Sequence, residues 1–349
     1  MNARALELVR RDCQEGLKGS LEALGALKGR RLLITGGTGF LGTWIAEAVA
    51  CLNDDFGFGL ELTLLARQTE RFTQEVPHLA LRKDLVLRRL DVRSVAEVPQ
   101  DTSYVVHAAA TPDNRAHATS PVETMHVIAA GTAAVLQAVE RCSSFVKMLN
   151  VSSALVYGAQ PASLEAIPED FAGAPGLGAV SSAYAEAKRY AETYCSAARS
   201  QLKLPVVTTR PFAFVGPYQS LDRPWAINNF LREALMGHPV RVQGDGQTVR
   251  SYLYGADAAL WTLVILARGE PGQAYNVGSA EAVTLEKLAS TIASKVLPRP
   301  EVRLHTAGST RVPTTRLVPD IGRAGGLGLK ATVPLDRALE QTIDWHRVR

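Results

Sequence analysis

Residues 30–52, RRLLITGGTGFLGTWIAEAVACL, constrain the fold of this chain more than any other stretch. A short apolar run, Leu32 to Thr35, meets Gly36, Gly39 and Gly42 at three-residue intervals, and a helix-like run starts at Leu41. A strand apolar on both faces has to be covered on both faces. Glycine allows a tight turn and a close backbone approach, and the first turn of the helix presents free N–H groups and a positive dipole end to an anion. G-x-x-G-x-x-G between strand and helix therefore reads as a pyrophosphate-binding turn for a dinucleotide, formed by Gly36, Gly39, Phe40, Leu41 and Gly42. Further apolar runs at Leu60 to Leu65, Val86 to Leu90, Tyr104 to His107, Phe145 to Val151 and Val206 to Thr209 read as buried strands. Alanine-rich stretches between them, such as Ala129 to Glu140 and Tyr184 to Gln201, read as helices. This alternation predicts an α/β fold with a parallel sheet.

The pattern changes after Pro211, where turn-rich and mixed segments follow. We expect a Rossmann-type, doubly wound dinucleotide-binding domain over 29–210 and a smaller C-terminal α/β substrate lobe over 211–349, with segments around 250–280 returning to the first domain. Residues 1–28 form a helical extension in which Leu6, Val9, Cys13, Leu17, Leu21 and Leu24 follow helical spacing. Its charges, including Arg10, Arg11 and Asp12, are incompatible with the apolar core of a signal peptide. The chain has 349 residues and a net charge of +4, with basic residues scattered rather than clustered with aromatics. We expect no nucleic-acid partner. No apolar stretch of membrane-spanning length is read, so no membrane partner is expected. Cys13, Cys51, Cys142 and Cys195 lack metal-ligand spacing, which points to reduced thiols in a cytoplasmic protein and no metal.

Dinucleotide folds that take NAD place an acid at the end of the second strand to hold the ribose hydroxyls. In LTLLARQTERF that position is Ala66, followed by Arg67, with Arg71 one turn on. An arginine pairs with the extra phosphate that an acid repels, so NAD(P) is expected with NADP favoured. Asp91 and Val92, after the third strand, are placed to meet the adenine. In HAAATP, 107–112, Ala108 and Ala109 let the cofactor lie close.

Two further segments carry chemistry. SSALVYG, 152–158, puts hydroxyls at the end of an apolar strand, and SSAYAEAKRYAE, 181–192, sets Tyr184 and Lys188 one helical turn apart. A tyrosine ionises near pH 10, and a neighbouring ammonium lowers that value by favouring phenolate. Ser153 completes the group by hydrogen-bonding the reacting oxygen.

TGGTGFLG, HAAA, SSALVYG, YAEAK, RPFAFVGP, GDGQTVRSYLYGAD and AYNVGS, in this order over roughly residues 30–290, resemble the extended short-chain dehydrogenase/reductase family, specifically its nucleotide-sugar epimerases and dehydratases. The resemblance implies Tyr184 as acid/base, Lys188 as its modulator and ribose anchor, and Ser153 as hydroxyl partner. It implies that Tyr184, Ser153 and Arg250 bind the substrate, Arg250 through its diphosphate, and that a homodimer forms through two helices per subunit. Arg210 is expected to be structural. Family members that remove water carry S-T-D-E-V-Y-G at the strand end, and related decarboxylases keep the glutamate. Ala154 and Leu155 stand at those positions here and move no proton, so the serines are read as an epimerase-type relay. The expected reaction is epimerisation of a nucleotide-activated sugar through a transient ketone. A 4-keto-sugar reductase using NADPH is the alternative. A dehydratase drawing on Glu165, Glu169 or Asp170, and a non-catalytic dinucleotide sensor, stand behind it. Three departures from the family pattern are Ala213 for asparagine, Val215 for tyrosine, and Ile128 for the asparagine that braces the backbone before the dimer helix.

Overall fold

Seven parallel strands form the centre of the molecule in the computed structural model, which describes residues 3–111, 113–305 and 315–348. Six of them are β1 (Arg31–Thr35), β2 (Glu61–Ala66), β3 (Leu85–Arg89), β4 (Thr102–His107), β5 (Lys147–Val151) and β6 (Val206–Pro211), and Ala274–Val277 is the seventh. Across the sheet the order is Ala274–Val277, β6, β5, β4, β1, β2, β3, with every pairing parallel. The direction of winding reverses between β1 and β4, so a crevice opens at their carboxyl ends, where such sheets take ligands.

Side-chain alternation along the strands feeds two cores. Leu32, Ile34, Val106 and Leu149 pack with the helices Phe40–Phe56 and Gly255–Arg268, while Leu33, Val105 and Met148 face the helices Pro121–Glu140 and Ala183–Leu202. The helix predicted over Ala129 to Glu140 starts earlier, at Pro121, because proline suits the first helical turn, where its missing N–H costs nothing. At 20 residues this helix is long and apolar enough, by length and composition, to cross a membrane. That corrects the expectation of no such stretch: the alanine-rich half leaves out Val122, Met125, Val127 and Ile128, which extend the apolar run. Its residues Ile128, Val135, Leu136 and Val139 are buried within the fold.

The N-terminal helix Ala3–Lys18 docks through Ala5, Val9, Cys13 and Leu17 against the first core. Its buried face also carries Asp12, whose carboxylate accepts hydrogen bonds from the Tyr254 hydroxyl at 2.6 Å and the Gln341 amide at 2.8 Å. Burial raises the pKa of this carboxyl. The four cysteines are free and buried. In the C-terminal region, Ala213–Val215 pairs with Tyr252–Tyr254, Val240–Gln243 pairs with Val302–His305, and Val249–Arg250 lies between Val283–Thr284 and Arg316–Leu317.

Candidate active site

The glycine turn lies at the crevice between β1 and β4. Gly36 has φ 68°, and a Cβ there would stand 2.9 Å from the Ala108 carbonyl oxygen and the Ala109 Cα. Only glycine lets these two strand ends approach so closely. Gly42 packs its Cα face on Gly37, where a Cβ would come 2.3 Å from the Gly37 oxygen. Gly39 differs: a Cβ there would meet only the Gly36 oxygen, at 3.2 Å, so the space before the helix is open. Because the first intrahelical bond runs from Thr43 to Gly39, the amides of Phe40, Leu41 and Gly42 have no acceptor within the helix. This open, amide-lined cradle fits the pyrophosphate of a dinucleotide.

Arg67 follows β2 on the surface. Asp91 is engaged by Arg93, accepting from its backbone N–H at 2.9 Å and from its guanidinium at 3.0 and 2.9 Å. These bonds, aided by the charge of Arg67, hold Asp91 down at about 2. The side chain of Val92 is buried and takes the space where Gly131 lacks a Cβ, so it belongs to the core rather than to a ligand surface. Arg71 pairs with Glu75. Ala108 and Ala109 continue from the end of β4, and Pro112 of the same small-residue segment lies outside the described residues.

Ser153, Tyr184 and Lys188 converge beside this cradle. Tyr184 and Lys188 face inward from the helix Ala183–Leu202, and Ser153, whose Oγ accepts from the Leu155 N–H at 3.2 Å, lies close enough to Tyr184 to act on its ionisation. Lys188 Nζ lies 6.0 Å from the Tyr184 ring centroid and donates to the Val151 carbonyl at 2.6 Å. Burial pushes the phenol up to about 12, with Ser153 opposing it. The expected lowering of the tyrosine is thus not found: desolvation dominates, and the ammonium is turned toward the Val151 carbonyl rather than the phenol oxygen. Burial also brings Lys188 down to about 8. The two serines differ in kind, which corrects the reading of both as a relay. Ser153 partners Tyr184, whereas Ser152 is buried and its Oγ has no partner among the described residues. Ala154 is buried and Leu155 is 42% exposed.

The Lys188 value carries a stability consequence. A lysine whose folded pKa falls from 10.5 to about 8 disfavours the folded state while charged, and that penalty disappears as pH rises from 8 to 10.5. Lys188→Met keeps the apolar stem without the charge. Relative to wild type, its stability advantage is expected to be largest below pH 8 and to shrink by on the order of 3 kcal/mol toward pH 10.5. Chemical denaturation of both proteins across this range checks it.

The floor of the crevice is a directed row of hydrogen bonds. Thr132 Oγ1 donates to the Ile128 carbonyl at 2.7 Å, so it accepts from His107 Nε2 at 3.1 Å. His107 is held neutral, its pKa brought down to about 3 by burial and then by the charge of Lys188. Its Nδ1 therefore accepts from Thr35 Oγ1 at 2.8 Å, and Thr35 accepts in turn from the Ala109 N–H at 3.2 Å. This row provides the bracing that Ile128 cannot.

Arg210 donates to both oxygens of Glu192, to the Tyr157 hydroxyl and to the Glu169 carbonyl, and Tyr157 donates to Asn276 Oδ1 at 2.7 Å. Glu169 accepts from the Asn276 backbone N–H at 2.9 Å. Its carboxylate is thus taken up in bracing, and the Glu165 carbonyl is bonded by Arg316. Asp170 is exposed.

Arg250 is half-buried and, among the described residues, donates to oxygens of Val249 and Thr315. Among the described residues no carboxylate lies within ion-pair distance of it, and burial lowers its pKa. Nearby in the same lobe a cavity of about 440 Å³ is lined by Asn229, Phe230, Arg232, Arg241, Gln243 and others. Sequence reasoning missed this cavity, because its residues come from a helix and a strand that share no local motif. It also missed His117, whose ring stacks on Tyr184 with centroids 4.2 Å apart and planes 12° apart.

The amide cradle at the switch point, with a tyrosine, lysine and serine beside it, defines an enzyme of the extended short-chain dehydrogenase/reductase class. More closely, the model of the NAD dependent epimerase/dehydratase family matches residues 32–278, and the chain belongs to that family. It is 27% identical over 333 residues to a UDP-N-acetyl-alpha-D-glucosaminuronate decarboxylase of Bacillus cytotoxicus, covering 91% of this chain and 98% of the relative. Among solved structures, dTDP-glucose 4,6-dehydratase DesIV of Streptomyces venezuelae aligns with a TM-score of 0.78 at 22% identity, covering 91% of this chain and 97% of the other. UDP-glucuronic acid 4-epimerase of Bacillus cereus aligns with a TM-score of 0.76 at 22% identity, covering 91% and 99%.

Proposed function

We propose that the protein is an NAD(P)-dependent epimerase acting on a nucleotide-activated sugar through a transient ketone. The observation that carries this reading is the Ser153, Tyr184 and Lys188 group with Ala154 and Leu155 at its edge. The apparatus for moving a hydroxyl proton is present, and neither flanking side chain can protonate a leaving hydroxide or act at a second carbon. Relatives named as UDP- and dTDP-sugar enzymes support a nucleotide-sugar substrate.

Gly36, Gly39, Phe40, Leu41 and Gly42 hold the cofactor pyrophosphate, and Asp91, Ala108, Ala109 and the backbone of Val92, whose side chain is in the core, flank the remainder of the cofactor. Bound NAD(P) supplies a hydride acceptor that later returns the hydride. Tyr184 takes the proton from the sugar hydroxyl as its carbon becomes a ketone, and gives it back after the sugar has presented its other face. Ser153 hydrogen-bonds the reacting oxygen, and Lys188 places a positive charge near the phenol and grips the cofactor ribose. Arg250, a cation without an acidic partner among the described residues, pairs with the substrate diphosphate, and the neighbouring cavity takes the nucleoside.

Arg67 favours NADP, because Arg93 already neutralises Asp91. Arg67→Ala is expected to weaken NADP binding by roughly 10- to 100-fold, the worth of charge-assisted hydrogen bonds, and to leave NAD binding unchanged. Calorimetric titration of both nucleotides checks this. The same arginine favours the reductase alternative, in which NADPH exchanges at each turnover. A homodimer forms through the helices Pro121–Glu140 and Ala183–Leu202, which expose Val122, Met125 and Tyr190. The four reduced cysteines fit the cytoplasm.

The deciding experiment supplies UDP- and dTDP-sugars, including uronates, with NAD or NADP and follows the products by NMR. An epimer formed without net consumption of cofactor supports the reading. Release of carbon dioxide or water, or stoichiometric oxidation of NADPH, replaces it with the corresponding alternative.

A further inference from the structure

We propose that His117 is a positioning residue for Tyr184, fixing the phenol ring in the orientation from which it exchanges a proton with substrate. The inference rests on the reading of Tyr184 as acid/base given above.

A tyrosine ring is poorly constrained about its second side-chain torsion, which has broad minima. Ser153 acts only at the hydroxyl. Tyr184 also packs with Ile128, Ala187 and Ala191, with Ala110 at the edge of this group, and none of these aliphatic side chains presents a flat face to the ring. Among the described residues His117 is the one ring stacked on Tyr184, nearly parallel to it at 4.2 Å. It therefore sets the plane of the phenol. A misplacement of about 1 Å at a reacting group can cost on the order of 100-fold in rate, so the plane matters.

His117 is itself anchored. Its Nε2 lies 2.6 Å from the Thr111 carbonyl, and since a carbonyl only accepts, Nε2 carries the hydrogen. The ring is thereby tied to its own loop. Its helix, Asn114–Thr119, is too short to stand alone and is held at its start by Asp113, which accepts from the Arg115 N–H at 2.9 Å. Asp113 also accepts from Arg223 at 2.8 Å, and Arg115 donates to the Asp222 carbonyl at 2.9 Å. Both partners belong to the C-terminal region, immediately before the cavity-lining helix Ala226–Leu235. The plane of the phenol is thus held from the substrate side of the crevice.

The test uses the full-length enzyme with its cofactor and the nucleotide sugar turned over by wild type. His117→Ala removes the stack, and His117→Phe keeps a ring while losing the anchor to Thr111. His117→Ala is expected to lose at least about tenfold in kcat with KM and cofactor affinity little changed, and His117→Phe to recover to within about threefold of wild type. Wild-type kcat in His117→Ala overturns the proposal, as does a His117→Phe no better than His117→Ala. A loss confined to KM or to cofactor affinity overturns it too. Failure of the acid/base reading is recognised separately, by a Tyr184→Phe variant as active as wild type. If the enzyme turns over no nucleotide sugar, NMR decides: the Tyr184 ring resonances are expected to lose the ring-current shift of the imidazole in His117→Ala, and unchanged resonances overturn the stack.

Discussion

Tyr184→Phe is expected to reduce turnover of the nucleotide sugar by about 10²- to 10⁴-fold while leaving the protein folded and able to bind its cofactor. The substitution removes one oxygen from a buried ring, and with it the interaction by which Ser153 favours phenolate. Packing against Ile128, Ala187 and His117 is kept. Burial pushes the phenol up to about 12, so phenolate is favoured only by positive charge brought close to it, which Lys188 and the nicotinamide ring of an oxidised cofactor would supply. A variant lacking the hydroxyl loses the group that Ser153 and Lys188 flank, and with it the proton acceptor of the proposed reaction. Steady-state kinetics beside nucleotide binding and thermal melts gives the answer. Turnover near the wild-type rate removes Tyr184 from the reaction, and loss of cofactor binding shows that the variant reports damage instead.

The largest expected loss of stability lies on the N-terminal helix. Asp12→Leu is expected to destabilise the protein by about 2–3 kcal/mol at neutral pH, with a corresponding fall in Tm, although leucine matches the apolar face of its helix. The Tyr254 hydroxyl and the Gln341 amide both lose their acceptor, and each is buried where water cannot replace it. The sign of the pH dependence follows from the raised pKa of Asp12. A carboxyl favoured in its neutral form by the fold adds most stability at acid pH and progressively less as pH rises through its folded pKa. The deficit of Asp12→Leu therefore narrows with rising pH. Urea melts at several pH values measure it, and equal stability of the two proteins shows that the buried carboxylate does not hold the helix.

The strands and the glycine turn were legible because their signals are local: continuous apolar runs, and glycines at spacings that only a tight turn needs. Ser153, Tyr184 and Lys188 were legible because strand end and helix turn bring them inward in a recognisable order. What escaped depends on neighbours distant in the chain. The ionisation of Tyr184 is governed by burial, which no spacing reports, and the direction of Lys188 by the Val151 carbonyl. His117 meets Tyr184 from a helix with no local pattern linking the two, and Asp113 and Arg223 tie that helix to the C-terminal region. Asp12 interrupts an apolar helical stripe, and its partners, Tyr254 and Gln341, lie on two other elements far along the chain. The apolar length of Pro121–Glu140 is understated by its alanines, which cluster in the second half of the helix.

The row from Ala109 through Thr35, His107 and Thr132 to Ile128 gives each hydrogen one acceptor, so it has a single sense and no slack. It rivets the first strand, the fourth strand and the long apolar helix into one plate beneath the cofactor cradle. A plate so fastened holds the two strand ends and the helix at one spacing, so a change at any link of the row is felt by all three elements.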